Sequence, residues 1–221
     1  MSTQTQPLKL FSFFRSSAAF RARIALNIKA IPYDIVNVDL RAPVSGQNAP
    51  EFRALNPQGL IPALLAEGTP IAQSLAIIEY LDEVYPQPPL LPASPVDRAR
   101  VRAMALAVAC DIHPLNNLRV LNYLRGPLGQ NDDAVNAWYQ HWIEVGFSAL
   151  EAQARGASGD GRFMFGKSLT IADIYIVPQM YNARRLKCDV EPYPTLRGIC
   201  AHLEKLPAFA AAAPEAQPEA G

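Results

Sequence analysis

An arginine and two serines stand directly before a stretch with helical periodicity, in the segment FFRSSAAFRARIAL that starts at Phe13. The first turn of a helix leaves backbone N–H groups without intrahelical partners and carries a partial positive charge. A thiolate or carboxylate placed there is stabilised, and the hydroxyl of Ser16 or Ser17 adds a donor. The same hydroxyls also suit an ordinary N-cap, which stabilises a helix by about 1 kcal/mol. The residues themselves leave an anion site and a structural cap both open.

Two other positions combine polar side chains with an interruption of regular structure. Gln73 and Ser74 stand where a strand gives way to a helix, so their N–H groups and side chains suit a carboxylate, although a serine N-cap is the plainer reading. His113 precedes Pro114, which removes a backbone donor and kinks a long helix. Such a kink opens a polar notch, and the alternative is a structural histidine with satisfied hydrogen bonds.

Arginines narrow the class of ligand. Arg15 precedes the serines, Arg119 follows the kink, and the stretch NARRLK holds Arg184 and Arg185. A guanidinium binds a carboxylate through two parallel donors. Two or three of them around one pocket suit a small dicarboxylate. The alternative is that each is a solvated surface residue, and this is the expectation for Arg184 and for Arg21 and Arg23 of the first helix.

The composition excludes several classes of protein. The chain has 221 residues, with 20 basic and 20 acidic side chains, and so lacks the clustered positive charge that nucleic acid binding requires. No apolar run is long enough to span a membrane, and the N-terminus lacks an export signal. The scattered histidines and cysteines have no metal-ligand spacing. We expect a soluble, cytoplasmic protein with no metal, whose cysteines, Cys110, Cys188 and Cys200, are buried thiols.

The elements that must position these residues change character along the chain. The first third alternates strand and helix patterns, in the order strand, helix, strand, hairpin, helix. The apolar stripe of the first helix includes Phe20 and Ile24, and the hairpin turns at Glu67 and Gly68. The expected elements are a strand at 8–13, a helix stopped by Pro32, a strand at 33–40, a polar loop at 41–52, the hairpin, and a helix at 74–85.

Five prolines between Pro86 and Pro95 cannot continue a helix, so this segment is expected to run extended over the surface as a linker. Helical patterns follow it. TIAD, beginning at Thr170, has the spacing of a capping box. The small, proline-broken tail at 211–221 is expected to lie loosely on the surface or to be disordered. The expected helices span 96–124, 132–155, 171–186 and 195–206.

Several stretches together resemble the zeta class of glutathione transferases, which includes the maleylacetoacetate and maleylpyruvate isomerases. The class has a Ser-Ser-Cys triplet before an arginine-containing helix, and this chain has RSSAAFRARIALN. NPQGLIPAL, QSLAIIEYL, DIHPLNNLRVL, TIADIYIVPQ and EPYPTLRGI match in the same order over nearly the whole chain. Ala18 occupies the family's cysteine position, so a mechanism that needs a protein thiol there is excluded.

The resemblance implies an α/β plus all-α fold. A thioredoxin-like domain at 1–86 binds glutathione, a linker covers 87–95, and an all-helical domain at 96–221 completes a substrate pocket. Ser16 matches the activating serine, with Ser17 supplying its N–H or the cap, and Pro62 follows a cis peptide bond. The implied glutathione contacts are Ser16, Ser17, Gln47, the backbone of Ile61, Gln73, Ser74 and His113; the implied substrate contacts are Arg15, Asn117, Arg119 and Arg185.

The implied reaction is the glutathione-dependent cis-trans isomerisation of a maleyl keto acid. Thiolate addition turns the double bond into a rotatable single bond, and expulsion of the thiolate restores it in the fumaryl form. Arginines stabilise the transient enolate. Two rivals keep the fold. One is a transferase or dehalogenase acting on small α-halo acids, which leaves the thioether in the product or hydrolyses it, and the transferase consumes glutathione. The other is a non-catalytic binding protein. The family is usually a homodimer, with QSLAIIEYLDEVY and the helix from Val96 expected at the interface.

Overall fold

The computed structural model describes residues 7–41, 43 and 45–220 of the chain. Residues 1–6, which entered the expectation about an export signal, lie outside the described residues, as do 42, 44 and 221. The described residues form two compact units. One extends to Pro89 and resumes at Leu206, and the other spans Leu90–Lys205. This division differs from the expected boundaries because the C-terminal residues belong to the first unit.

The first unit is built on a four-stranded sheet in the order β2-β1-β3-β4. Strand β1 pairs in parallel with β2, with Leu10 opposite Ile35, and antiparallel with β3, with Leu10 opposite Leu64. Glu67 and Gly68 both have positive φ and form the hairpin turn between β3 and β4, as predicted. The strands are β1 (Leu8–Ser12), β2 (Tyr33–Asn37), β3 (Ala63–Ala66) and β4 (Thr69–Ala72).

Helices α1 (Ser17–Ile28), α2 (Pro50–Leu55) and α3 (Ser74–Val84) complete the alternation in this unit. α2 lies partly in the expected polar loop, where Pro50 at its first position and Glu51 in its first turn are ordinary start signals. α1 is buried around most of its circumference, so the expected apolar stripe was too narrow.

The proline-rich segment is shared between the two units. Lys29 Nζ donates to the carbonyl oxygen of Pro88 at 2.6 Å and pairs with Asp82 at 2.7 Å. In the second unit, Leu90 is fully buried and its carbonyl accepts from the N–H of Ile171 at 3.0 Å. Residues 86–94 are outside any helix, as predicted, whereas Pro95 begins the next helix. The expectation that the segment runs over the surface is wrong at Leu90.

The second unit is helical, and its first expected helix is interrupted. A π-helical turn at Ala107–Ile112 follows α4, and the N–H of His113 donates to the carbonyl of Val108 at 2.9 Å. Pro114 has no N–H to continue the ladder, so a turn precedes the next helix. The helices are α4 (Pro95–Leu106), α5 (Leu118–Arg125), α6 (Asp132–Ala157), α7 (Ile171–Arg185) and α8 (Pro194–Leu203).

Buried carboxylates cap two of these helices. The capping box at the start of α7 is present as predicted, with Asp173 Oδ2 accepting from the N–H of Thr170 at 2.7 Å. Glu151 of α6 accepts from the N–H groups of Thr195 and Leu196 at 3.0 and 2.9 Å. Each carboxylate accepts hydrogen bonds from backbone N–H groups at a helix start, which have no partner within the helix. None of the described helices has the length and apolar character that a membrane span needs.

The chain is folded from Leu206 to Ala220, and this contradicts the expectation of a loose or disordered tail for the described part of it, 211–220. α9 (Pro207–Ala212) packs on α1 of the first unit, and Phe209 is 1% exposed. Asn27 Nδ2 donates to the carbonyl of Ala208 at 3.1 Å. Gln217 Nε2 donates to two carbonyls of the same segment. Small residues therefore permit close packing here, although their composition had suggested disorder.

Candidate functional site

Ser16 is the N-cap of α1. Its backbone is extended, with φ −69° and ψ 114°, and its Oγ accepts from the N–H of Ala19 at 3.2 Å. The capping role falls to Ser16, whereas the resemblance had offered it to Ser17, which is the first helical residue. A hydroxyl has two acceptor lone pairs and one proton. The cap occupies one lone pair and leaves the O–H to donate, so the structural and chemical roles are compatible at this residue.

The start of α1 carries positive potential that no acid of the described chain offsets within its first turn. A helix N-terminus behaves as roughly half a positive charge, and this attracts anions within about one turn. Ser16 is half-buried and Ser17 is 5% exposed. An anion at this point would be partly shielded from water, which strengthens its interaction with the helix end.

Arg15 lies beside the serines on an aromatic platform. Its guanidinium carbon is 5.2 Å from the ring centroid of Phe14 and 5.8 Å from that of Phe13. Arg41 contacts the same two rings and binds Asp39, whose pKa is lowered by that hydrogen-bonded guanidinium. Arg41 was not predicted, although β1 and β2 are parallel and their carboxyl ends must meet at one edge. Both guanidinium groups thus pack on the aromatic rings of the two residues that precede Arg15.

Gln73 has a conformation that the sequence did not reveal. Its φ is 71° and its ψ 121°, a region that costs a non-glycine residue about 1–3 kcal/mol. Its Nε2 donates to Gln58 Oε1 at 3.0 Å, and its carbonyl accepts from the N–H of Ile77 in α3. Ser74 is the first residue of α3 and is 7% exposed. Strain of this kind clusters at ligand sites, which favours the ligand reading of this junction.

Gln47 and Ile61 lie in the same unit. Gln47 belongs to a short 3₁₀ turn at Gly46–Asn48, and its Oε1 is buried without a hydrogen-bond partner among the described residues. A buried acceptor without a donor is unusual and indicates a missing partner. Ile61 is half-buried against a small apolar cluster, and the Ile61–Pro62 bond is cis, as the resemblance implied.

The second unit holds the remaining predicted residues. His113 ends the π-helical turn, and Asn117 caps α5 by accepting from the N–H of Arg119 at 3.1 Å. Arg119 and Arg185 are exposed. Burial raises the pKa of Tyr139 on α6, and the nearby charge of Arg185 opposes that shift. The chain is broken at Pro114, where Asn117 serves as a helix cap, and the predicted polar notch and ligand roles of these residues stay predictions.

Two arginines of α1 were expected at the surface and are buried instead. Arg21 is 1% exposed and Arg23 is 0% exposed. Arg23 donates to Ser12 and to backbone carbonyls, which a pattern of residue types cannot reveal. Cys110 is a further correction, since it is exposed while the other two thiols are buried. No group of three metal-ligating side chains occurs among the described residues.

The sheet order, the serine-capped helix and the following helical unit together define a glutathione transferase architecture. Residues 15–84 match the family model for the glutathione S-transferase N-terminal domain. A probable maleylacetoacetate isomerase of Vibrio cholerae is 50% identical over 96% of this chain and 98% of its own length. The chain belongs to the zeta class of glutathione transferases.

Solved structures agree with this assignment. A bacterial maleylpyruvate isomerase of the zeta class, described as a holo structure, has a TM-score of 0.92 at 47% identity, covering 96% of this chain and all of the other. A maleylacetoacetate isomerase of Methylobacterium extorquens with bound malonate and glutathione has a TM-score of 0.91 at 39% identity, covering 96% of this chain and 99% of the other.

Proposed function

We propose that this protein is a glutathione-dependent cis-trans isomerase that converts a maleyl keto acid, maleylacetoacetate or maleylpyruvate, to its fumaryl isomer. The relative and the two structures described above carry these activities in their names, and they match nearly the full length of the chain. When bound, glutathione supplies a thiolate whose reversible addition makes the double bond of the substrate rotatable.

The observation that carries the proposal is the capped, acid-free start of α1 at Ser16. A thiol has a pKa near 8.5, so keeping it ionised at neutral pH requires a shift of about two units, or roughly 2.7 kcal/mol. A helix end contributes about 1 kcal/mol, and a hydrogen bond to a charged group about 1.5–3 kcal/mol. The Ser16 hydroxyl and the helix end are together sufficient.

Other residues of the first unit suit the rest of the tripeptide. The buried Oε1 of Gln47 accepts a peptide N–H, which would supply its missing partner. Gln73 and Ser74 take the γ-glutamyl carboxylate at the start of α3. Ile61 offers its backbone to the cysteinyl group. We assign Ser17 to the same anion pocket through its N–H.

Arginines suit the carboxylates and the developing enolate of the substrate. Arg15 packs on its aromatic platform beside Ser16, while Arg119 and Arg185 present exposed guanidinium groups in the second unit. We assign these three to substrate with Asn117, and His113 to glutathione. Since charge develops on the oxygen during addition, a nearby guanidinium lowers the barrier. Ala18 is compatible with this scheme because no protein thiol is needed.

The direct test is the maleyl-to-fumaryl conversion with purified protein in the presence and absence of glutathione. We expect turnover that depends on glutathione and leaves its concentration unchanged. Undiminished turnover without glutathione refutes the proposal. Stoichiometric loss of glutathione instead identifies a transferase. Running maleylacetoacetate and maleylpyruvate side by side ranks the two substrates.

We also propose that the protein is a cytoplasmic homodimer. Large apolar side chains are exposed at the end of α3, where Val84 is 49% and Tyr85 38% exposed, and on α4, where Val96 is 68% exposed. The three cysteines are free thiols, which suits a reducing compartment. Light scattering at micromolar concentration tests the dimer, and Val96→Glu is expected to weaken it.

A further inference from the structure

The turn that precedes Ser16 is tied to a buried guanidinium. Arg23 Nη1 donates to Ser12 Oγ at 3.0 Å and to the carbonyl of Phe13 at 3.4 Å, and Nη2 donates to the carbonyl of Phe14 at 3.0 Å. The N–H of Ser16 donates to the same carbonyl of Phe13 at 3.0 Å. The guanidinium and the Ser16 amide therefore share an acceptor, and the position of one constrains the other.

The remaining edge of this guanidinium reaches the C-terminal segment, defined here as Leu206–Ala220. Arg23 Nε donates to the carbonyl of Ala212 at 3.0 Å, across 189 positions of sequence. Phe209 is 1% exposed and Asn27 Nδ2 binds the carbonyl of Ala208, so this segment is docked on α1 at several points. One side chain thus connects the docked segment to the turn that sets Ser16.

The charge on Arg23 makes this connection strong. Burial lowers its pKa to about 10, while attraction to Tyr33 and Glu219 opposes that shift, so the group stays protonated at neutral pH. Hydrogen bonds from a charged donor are roughly twice as strong as neutral ones. A buried charge persists when its donors are matched by acceptors, and here three carbonyls and one hydroxyl supply them.

We propose that Arg23 is a positioning residue that couples the docking of the C-terminal segment to the orientation of the Ser16 hydroxyl. The Arg23 guanidinium binds the turn from Phe13 to Ser16 on its buried side. Loosening either the guanidinium or the C-terminal segment therefore lets the Ser16 hydroxyl move and weakens its hydrogen bond with the Ala19 N–H. The consequence for a bound thiol rests on the proposed function. The coupling between the segment and Ser16 does not.

Three variants separate coupling from general destabilisation. Arg23→Lys keeps the positive charge but loses the planar set of donors that reaches all four acceptors. Phe209→Ala loosens the C-terminal segment and leaves Arg23 in place. Phe147→Leu is the matched control, since Phe147 is fully buried but lies in the helical unit. All three are expected to lower the unfolding temperature.

Amide hydrogen exchange on the ligand-free protein tests the coupling itself. Protection of the Ser16 and Ala19 amides, relative to the other amides of α1, is expected to fall about tenfold in Arg23→Lys and in Phe209→Ala. Phe147→Leu is expected to leave that ratio unchanged. Unchanged relative protection in Phe209→Ala overturns the proposal, because the segment would then have no effect on Ser16.

The ultraviolet absorbance of the thiolate, titrated in the glutathione complex, tests the consequence for function. The pKa of the bound thiol is expected to rise by about one unit in Arg23→Lys, with about a tenfold loss of thiolate at pH values well below that pKa. A lower unfolding temperature with unchanged thiol pKa assigns Arg23 a merely structural role and overturns the positioning claim. A wild-type protein that binds no glutathione refutes the proposed function instead, and hydrogen exchange still decides the coupling.

Discussion

Replacing Ser16 separates its two roles, since different side chains retain one role and lose the other. Ser16→Ala removes the acceptor for the Ala19 N–H, which lies 3.2 Å from Oγ, and also removes the donor for a thiolate. Losing the cap costs about 1 kcal/mol of stability, or roughly 2–4 °C for a chain of this size. Losing a hydrogen bond to a charged group costs about 1.5–3 kcal/mol, which raises the thiol pKa by about 1–2 units.

Ser16→Asp keeps the cap and places a negative charge beside the thiolate. We therefore expect the two variants to rank oppositely in stability and in activity. Ser16→Asp is expected to be about as stable as wild type and more stable than Ser16→Ala. The value of kcat/KM is expected to be highest in wild type, lower in Ser16→Ala and lowest in Ser16→Asp. The loss in Ser16→Ala is expected to be about 10–100-fold at neutral pH. Asn131→Ala is the matched control, because Asn131 caps α6 by accepting from the N–H of Ala134 at 2.9 Å.

The assays are thermal unfolding and initial rates of isomerisation at saturating glutathione, measured on all four proteins. Asn131→Ala is expected to lose stability and keep its kcat/KM. If Ser16→Ala loses stability like this control but retains kcat/KM within about twofold, the hydroxyl is a cap and nothing more.

Other perturbations test the scaffold. Burial raises the pKa of Glu151, but hydrogen bonds from the Thr195 side chain and from the N–H groups of Leu196 and Thr195 lower it overall. The stability that this carboxylate contributes is therefore complete above its unfolded pKa of about 4.3 and is lost as pH falls. Glu151→Gln is expected to cost about 2 kcal/mol at pH 7 and much less near pH 3, measured by urea unfolding, and an equal cost at both values contradicts this. Gly146→Ala would place its Cβ 2.2 Å from Ile112 Cδ1, so we expect a loss of about 1–3 kcal/mol that Ile112→Ala partly reverses in the double variant. Lys29→Met removes the buried ammonium that pairs with the partly exposed Asp82, which is expected to cost about 1.5–3 kcal/mol, and a stabilised variant in thermal unfolding would contradict this.

Features decided by neighbouring residues were predictable from sequence. The hairpin at Glu67 and Gly68 needs only a turn that tolerates positive φ. The capping box at Thr170 needs only an acid three residues later. In both cases the interaction that fixes the backbone is encoded within a few positions, so no knowledge of the tertiary structure is required.

Features decided by distant partners were not predictable. Arg23 was expected at the surface because three of its four acceptors are backbone carbonyls, one of them contributed by Ala212. The tail at 211–221 was expected to be loose or disordered, since its small residues give no periodic apolar stripe, yet Ala212 is fully buried and Gln217 is 7% exposed. Tertiary packing overrides local propensity in both places.

The candidate site shows the same contrast. The place before a helix left Ser16 and Ser17 both open, the resemblance selected Ser16, and the structure adds that Ser16 is the N-cap. The positive φ of Gln73 and the buried acceptor of Gln47 were hidden, since backbone strain and missing partners leave no mark on residue type. The ligand roles of these residues stay predictions, to be tested by the experiments above.

The bond between Arg23 and Ala212 also bears on how the chain is made. A ribosome delivers the whole helical unit before the acceptor that this arginine uses, because 189 positions separate the two. At a synthesis rate of about 5–20 residues per second, the carbonyl of Ala212 is made roughly 10–40 s after Arg23. The first unit, whose translation begins first, can therefore complete its fold only after the helical unit has been synthesised. A nascent chain stalled before Ala212 should expose α1 to chaperones.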